Sequence, residues 1–94
     1  MLKIDISRSA AKFIQKLPPK HFKQVVGTLF HLRKTPTPQD SEQLSGFPQY
    51  RRTEIGEYRI IYRFDQDTLF VAVVGKRNDD AVLYESLGNS LFLK

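Results

Sequence analysis

At 94 residues, with a formal net charge of +5 and no cysteine, the chain is long enough for one core of its own, and its composition excludes disulfide frameworks, thiolate metal sites and cysteine nucleophiles. The longest apolar stretch, "LFVAVV", is far too short to span a bilayer, and "MLKIDISRSAAKF" has acidic and polar residues where a secretory signal needs an apolar run; a soluble protein of a reducing cytoplasm, without a membrane partner, is expected. Charge is uneven: positions 1–39 carry eight Lys or Arg against the single acid Asp5, the remainder seven against nine, an excess that favours a polyanion partner, nucleic acid or acidic protein.

"LKIDIS" alternates Leu2, Ile4 and Ile6 with Lys3 and Asp5, the period of a half-buried strand that ends at Ser7. Ser7 or Ser9 is placed to cap a short helix whose Ala10, Phe13, Ile14 and Leu17 share one face, and "LPP" stops it. Pro19 suits the first turn of a second helix, in which Phe22, Val25, Val26 and Leu29 repeat the spacing until "TPTP" breaks it. His21 and His31, ten residues apart on that helix, point about 80° away from each other and do not suit a shared metal. "QDSEQLSGFPQ" reads as a loop. Two hairpins follow, Tyr50 to Ile55 with Tyr58 to Phe64 about Gly56-Glu57, then Phe64 with Leu69 to Gly75 about "DQDT". "DDAVLYESLG" reads as a short helix capped by Asp79 or Asp80 and stopped by Gly88, with Leu83 and Leu87 stacked. The expected architecture is a single α+β domain over 1–94: an N-terminal strand, a helical hairpin, an antiparallel sheet of about four strands and a short C-terminal helix.

A two-residue turn at Gly56-Glu57 sets Ile55 opposite Tyr58, Glu54 opposite Arg59, Arg52 opposite Ile61 and Tyr50 opposite Arg63. One face then collects Thr53, Ile55, Tyr58, Ile60, Tyr62 and Phe64 as core, with Arg51 at its rim; strict alternation adds Leu69, Val71, Val73 and Gly75. The other face collects Tyr50, Arg52, Glu54, Arg59, Ile61 and Arg63, then Phe70, Ala72, Val74 and Lys76, with Arg77 close by. Rings among guanidiniums suit single-stranded RNA, because bases stack on the former and phosphates accept from the latter. The bland reading of Glu54 opposite Arg59 is a cross-strand ion pair worth about 0–1 kcal/mol when exposed. Tyr58 and Tyr62 read as packed core tyrosines.

The segment "LSGFPQYRRTEIGEYRIIYRFDQDTLFVAVVGKRNDDAVLY", 44–84, resembles the RelE/ParE superfamily of bacterial toxins, above all in "EYRIIY" and "VVGKR", and the strand and two helices before it match the same layout. The resemblance implies a RelE-like fold and a toxin of a type II toxin-antitoxin system. In its RelE branch it implies a metal-independent, cofactor-free endoribonuclease that cuts mRNA codons in the ribosomal A site. It places Arg59 and Arg77 on the scissile phosphate and makes Tyr84 a base-stacking or proton-transfer residue. Arg52 and Glu54 fall in the strand that supplies paired lysines in that branch; this chain departs from the pattern there, and Leu83 is an extra residue before Tyr84.

In the implied reaction the RNA 2′-hydroxyl attacks the adjacent phosphate, the 5′-oxygen leaves and a 2′,3′-cyclic phosphate forms, which calls for cations on the developing charge plus a base and an acid. Arginine stays protonated, so Glu54 is the base expected on the charged face, with Tyr84 or a ribosomal group as competitor. Arg51, Arg63, Lys76, Phe70 and Tyr50 would bind RNA on the sheet, and Lys12, Lys16, Lys20 and Lys23 would hold ribosomal RNA phosphates or be plain solvated lysines. Expected partners are the ribosome with its mRNA and a cognate antitoxin that covers the tail bearing Tyr84, with operator DNA reached only through the antitoxin complex. Two other readings stand beside this one: a ParE-like DNA gyrase inhibitor without nuclease activity, and an inert relative kept as partner of its antitoxin.

Overall fold

The computed structural model describes residues 1–78, so the helix read at "DDAVLYESLG", and Tyr84 with it, lies outside the described residues. In chain order the elements are β1 (Lys3–Ile6), α1 (Arg8–Gln15), α2 (Pro19–Lys34), β2 (Glu42–Leu44), β3 (Phe47–Ile55), β4 (Tyr58–Phe64) and β5 (Thr68–Lys76). The five strands form one sheet in the order β1-β5-β4-β3-β2, in which only β1 and β5 run parallel. Both helices lie on one face of it, the α+β arrangement expected from the sequence.

Local chemistry sets the helix limits. Ser7 has extended backbone and its Oγ accepts from the Ala10 N–H at 3.2 Å, capping α1, while the same hydroxyl donates to the Ala72 carbonyl at 2.6 Å and ties the helix start to β5. Pro19 opens α2, where the missing N–H costs nothing. The core lies between helices and sheet: Ala10, Ile14, Val25, Leu29 and Leu32 meet Tyr58, Ile60, Tyr62, Leu69, Val71 and Val74. Of the expected α2 stripe, Phe22 is exposed and Leu32 takes its place in the core.

The β3–β4 hairpin has the expected register, Ile55 with Tyr58, Glu54 with Arg59 and Arg52 with Ile61. Gly56 has φ 57° and no other residue type has positive φ among the described residues, the sign pattern of a II′ turn with glycine first.

Two features differ from the sequence reading. Part of the presumed loop is strand β2, whose Glu42 and Gln43 pair with Arg52 and Arg51. Strict alternation also fails along β5. Phe64, Arg63 and Tyr62 face Leu69, Phe70 and Val71, but Ile61 faces Val73, Ile60 faces Val74 and Arg59 faces Gly75. Ala72 is the extra residue of a bulge, and beyond it the faces exchange: Val74 joins the helix-side core, while Val73 and Gly75 turn to the other side. Ser7, bonded through Oγ to Ala72 O and through its N–H to Val71 O, holds the backbone at that point.

Candidate nucleic-acid interface

The sheet face away from the helices is built from cross-strand rows. In the first, Glu54, Arg59 and Gly75 stand side by side on β3, β4 and β5. Arg59 Nη2 donates to Glu54 Oε2 at 2.6 Å and its Nε reaches the same oxygen at 3.2 Å. Because Gly75 has no side chain, β5 places nothing beside Arg59 in this row. Two residues on, Arg77 brings its Nε to 3.9 Å from Glu54 Oε2 and donates from Nη1 to the Gly56 carbonyl at 3.2 Å. The Arg59 side chain is 10% exposed, Glu54 39% and Arg77 55%.

Among the described residues two guanidiniums meet at one carboxylate in a partly desolvated site, and guanidiniums so placed suit a phosphate. The Arg59 hydrogen bond above all holds the Glu54 carboxyl below the usual glutamate range; burial is the next largest effect and opposes it, and the charges of Arg59, Arg77 and Arg52 add to the lowering. Glu54 is therefore an ionised acceptor at neutral pH. A groove of about 390 Å³ between α2 and β3 opens beside it, with Lys23, His31 and Asp40 also in its lining.

In the second row Arg52 faces Ile61, which faces Val73. Arg52 Nη2 contacts Glu42 Oε2 of β2 at 2.8 Å. Ile61 and Val73 join Leu44 and Tyr50 in a small second apolar cluster. The third row is Arg63 opposite Phe70, with Asp5 next to Phe70 on β1; the Arg63 guanidinium lies 4.0 Å over the centroid of the Phe70 ring.

The geometry thus brings Arg59, Glu54 and Arg77 together, with Arg52 one row away and Arg63 and Phe70 two rows away. Other expected site residues are placed differently. Tyr50 is buried at 4% exposure rather than offered as an open ring, because Leu44 of the unforeseen strand β2 packs in the same cluster. Arg51 lies opposite Tyr62 on the helix-side face, and its Nη2 donates to Ser41 Oγ at 2.9 Å and Ser41 O at 3.2 Å, anchoring the approach to β2. Lys76 falls opposite Tyr58 and so leaves the charged face, a consequence of the Ala72 bulge. Lys12, Lys16 and Lys20 are exposed on the helices, in the layer across the sheet from Arg59, and only Lys23 lines the groove at Glu54.

Sequence reasoning missed several participants. The place of Gly75 depends on the bulge, and that of Glu42 on β2. His21, expected on the surface, is half-buried and its Nδ1 lies 2.6 Å from the Tyr58 hydroxyl. Tyr58 and Tyr62 are core residues as expected, and Tyr62 donates to the Pro36 carbonyl at 2.7 Å. Among the described residues no group of His, Asp and Glu could hold a metal ion, and no helix is long and apolar enough to cross a membrane.

Comparison with known proteins places this geometry. Residues 4–81 match the family described as the ParE toxin of the type II toxin-antitoxin system, parDE. Among solved structures, free Escherichia coli RelE with two arginine-to-alanine substitutions superposes with a TM-score of 0.78 at 22% identity, over 95% of this chain and 96% of that one. The toxin-antitoxin complex RelBE2 of Mycobacterium tuberculosis gives a TM-score of 0.70 at 25% identity, covering 81% of this chain and 98% of that one. The intact E. coli RelBE complex gives 0.71 at 25% identity, covering 81% and 96%. No curated protein sequence matches.

Proposed function

The chain belongs to the ParE toxin family of type II toxin-antitoxin systems, within the RelE/ParE superfamily, and from its site we propose that it is a metal-independent endoribonuclease that cleaves mRNA codons in the ribosomal A site. The observation that carries this reading is the convergence of Arg59 and Arg77 on the carboxylate of Glu54. A binding surface needs no carboxylate among its cations, whereas a 2′-hydroxyl attack needs both a proton acceptor and cations on the phosphate.

An entering phosphate competes with Glu54 for both guanidiniums. As Arg59 turns to the phosphate, Glu54 loses the hydrogen bond that depresses its pKa most, and its proton affinity rises where a base is required. Glu54 then takes the 2′-hydroxyl proton while O2′ bonds to phosphorus. The bond to O5′ breaks, O5′ takes up a proton, and the products are a 2′,3′-cyclic phosphate and a 5′-hydroxyl. Arg59 and Arg77 meet the charge that builds on the non-bridging oxygens; loss of one such donor costs about a hundredfold or more in rate. Tyr84 is proposed as a partner in base stacking or proton transfer. The protein partner we propose is an antitoxin with acidic and apolar segments, matched to the net charge of +5 and to the exposed Phe22 and Phe30 of α2.

The second reading, gyrase inhibition without hydrolysis, is favoured by one finding, that the matched family is that of ParE. In vitro translation with mapping of mRNA 5′ ends separates the two. Cuts within codons that depend on ribosomes support the nuclease; intact mRNA together with inhibited DNA supercoiling assigns the protein to gyrase.

A further inference from the structure

We propose that the third row of the site face is a second subsite, in which the stacked Arg63 and Phe70 hold a nucleobase of the same RNA strand, one that carries an exocyclic amine. The inference rests on the nuclease reading above and adds where the strand is gripped and which base it favours.

Arg63 and Phe70 are directly opposed across β4 and β5, and the guanidinium lies 4.0 Å over the ring. Among the described residues Arg63 forms no ion pair, although Asp5 stands beside Phe70 in the next strand. A guanidinium stacked in this way is a flat, weakly hydrated plate, and every base has a π-face to lay against such a plate or against an aromatic ring. Next to the plate is a recess of about 120 Å³ bounded by Asp5, Tyr50, Val71 and Ala72. Its walls are mainly apolar, as a base requires. Arg63 lines the same recess, and the exposed Asp5 at its edge accepts from an exocyclic amino group, as acidic side chains do from cytosine N4. Arg63 is four residues along β4 from Arg59, about 13 Å, so the base held here belongs to a different nucleotide from the one whose phosphate meets Arg59. The Ala72 bulge lies between the two subsites and leaves Phe70 in register with Arg63.

The test uses the full chain on ribosomes programmed with short mRNAs whose bases around the cut are varied one at a time, comparing wild type with Phe70→Leu and Asp5→Ala and recording thermal unfolding for each. Phe70→Leu is expected to raise the concentration for half-maximal cleavage about tenfold with the maximal rate unchanged, in line with the cost of removing one stacked base. Asp5→Ala, which leaves no side-chain acceptor there, should abolish a preference for amino-bearing bases over uracil. If wild type cuts and both variants match it, this inference falls while the nuclease stands. If wild type does not cut, both fall. Weaker antitoxin binding by Phe70→Leu with cleavage intact would overturn the inference by assigning the plate to a protein interface. Should Phe70→Leu fail to fold, Asp5→Ala decides alone, since Asp5 is exposed.

Discussion

Strand β4 serves two faces of one sheet with opposite chemistry. Towards the helices it presents Tyr58, Ile60 and Tyr62, all buried, and each phenol there has its own local partner, His21 or the Pro36 carbonyl. Away from the helices it presents Arg59 and Arg63 about Ile61; Arg59 shares the Glu54 carboxylate with Arg77, and Arg63 lies on a ring. Polar groups on the first face are matched one to one, so it is complete without a ligand. On the second face, among the described residues, the guanidiniums of Arg59, Arg63 and Arg77 are held at carboxylate and ring partners, a grouping that suits an anionic ligand.

Neighbouring substitutions on β4 can break this contrast. Ile60→Ala removes a fully buried side chain and is expected to cost about 2–5 kcal/mol in denaturant unfolding. Arg59→Ala, one residue away, should leave unfolding within about 1 kcal/mol, because its ion-pair partner among the described residues, Glu54, is 39% exposed and regains water, yet lower cleavage about a hundredfold or more. If Arg59→Ala unfolds the protein instead, the charged face is structural and the contrast fails.

Smaller effects sharpen it. Ser7→Ala removes the α1 cap and the bond to Ala72 O, and should cost about 1–2 kcal/mol by thermal or denaturant unfolding. Glu54 gives a pH signature. Its pKa in the fold is lowered, so its contribution to stability is complete above the ordinary glutamate range and is lost as pH falls through the depressed value. With solvent screening at this exposure the loss should stay below about 1 kcal/mol. Unfolding titrations of wild type and Glu54→Gln should therefore converge on acidification, and parallel curves would show that the pair contributes nothing to stability.

Where local pattern and contacts agree, the chain was readable. The alternation around β1, the stripe of α1 and the Gly56 turn each admit one structure, the turn alone sets Glu54 opposite Arg59, and of the two serines open as cap the fold uses Ser7. Strand β2 was not readable, because Glu42-Gln43-Leu44 has neither length nor alternation and is a strand only through pairing with β3. Segment 69–74, "LFVAVV", is apolar at every position. Either face could therefore have been assigned to each residue after a slip, and the bulge at Ala72 leaves no trace in the pattern.

The residues alone thus determined the α+β class, the stop of each helix, the β3–β4 register and a basic charged face opposite the core, since these follow from period, turn chemistry and charge. Tertiary structure decided which side Val73, Val74, Gly75 and Lys76 occupy, the burial of Tyr50, the use of Arg51 as an anchor and the convergence of Arg77 on Glu54. Each of these depends on pairings between distant segments, held by Ser7 at the bulge and by β2 at the sheet edge, and no local pattern in the sequence encodes them.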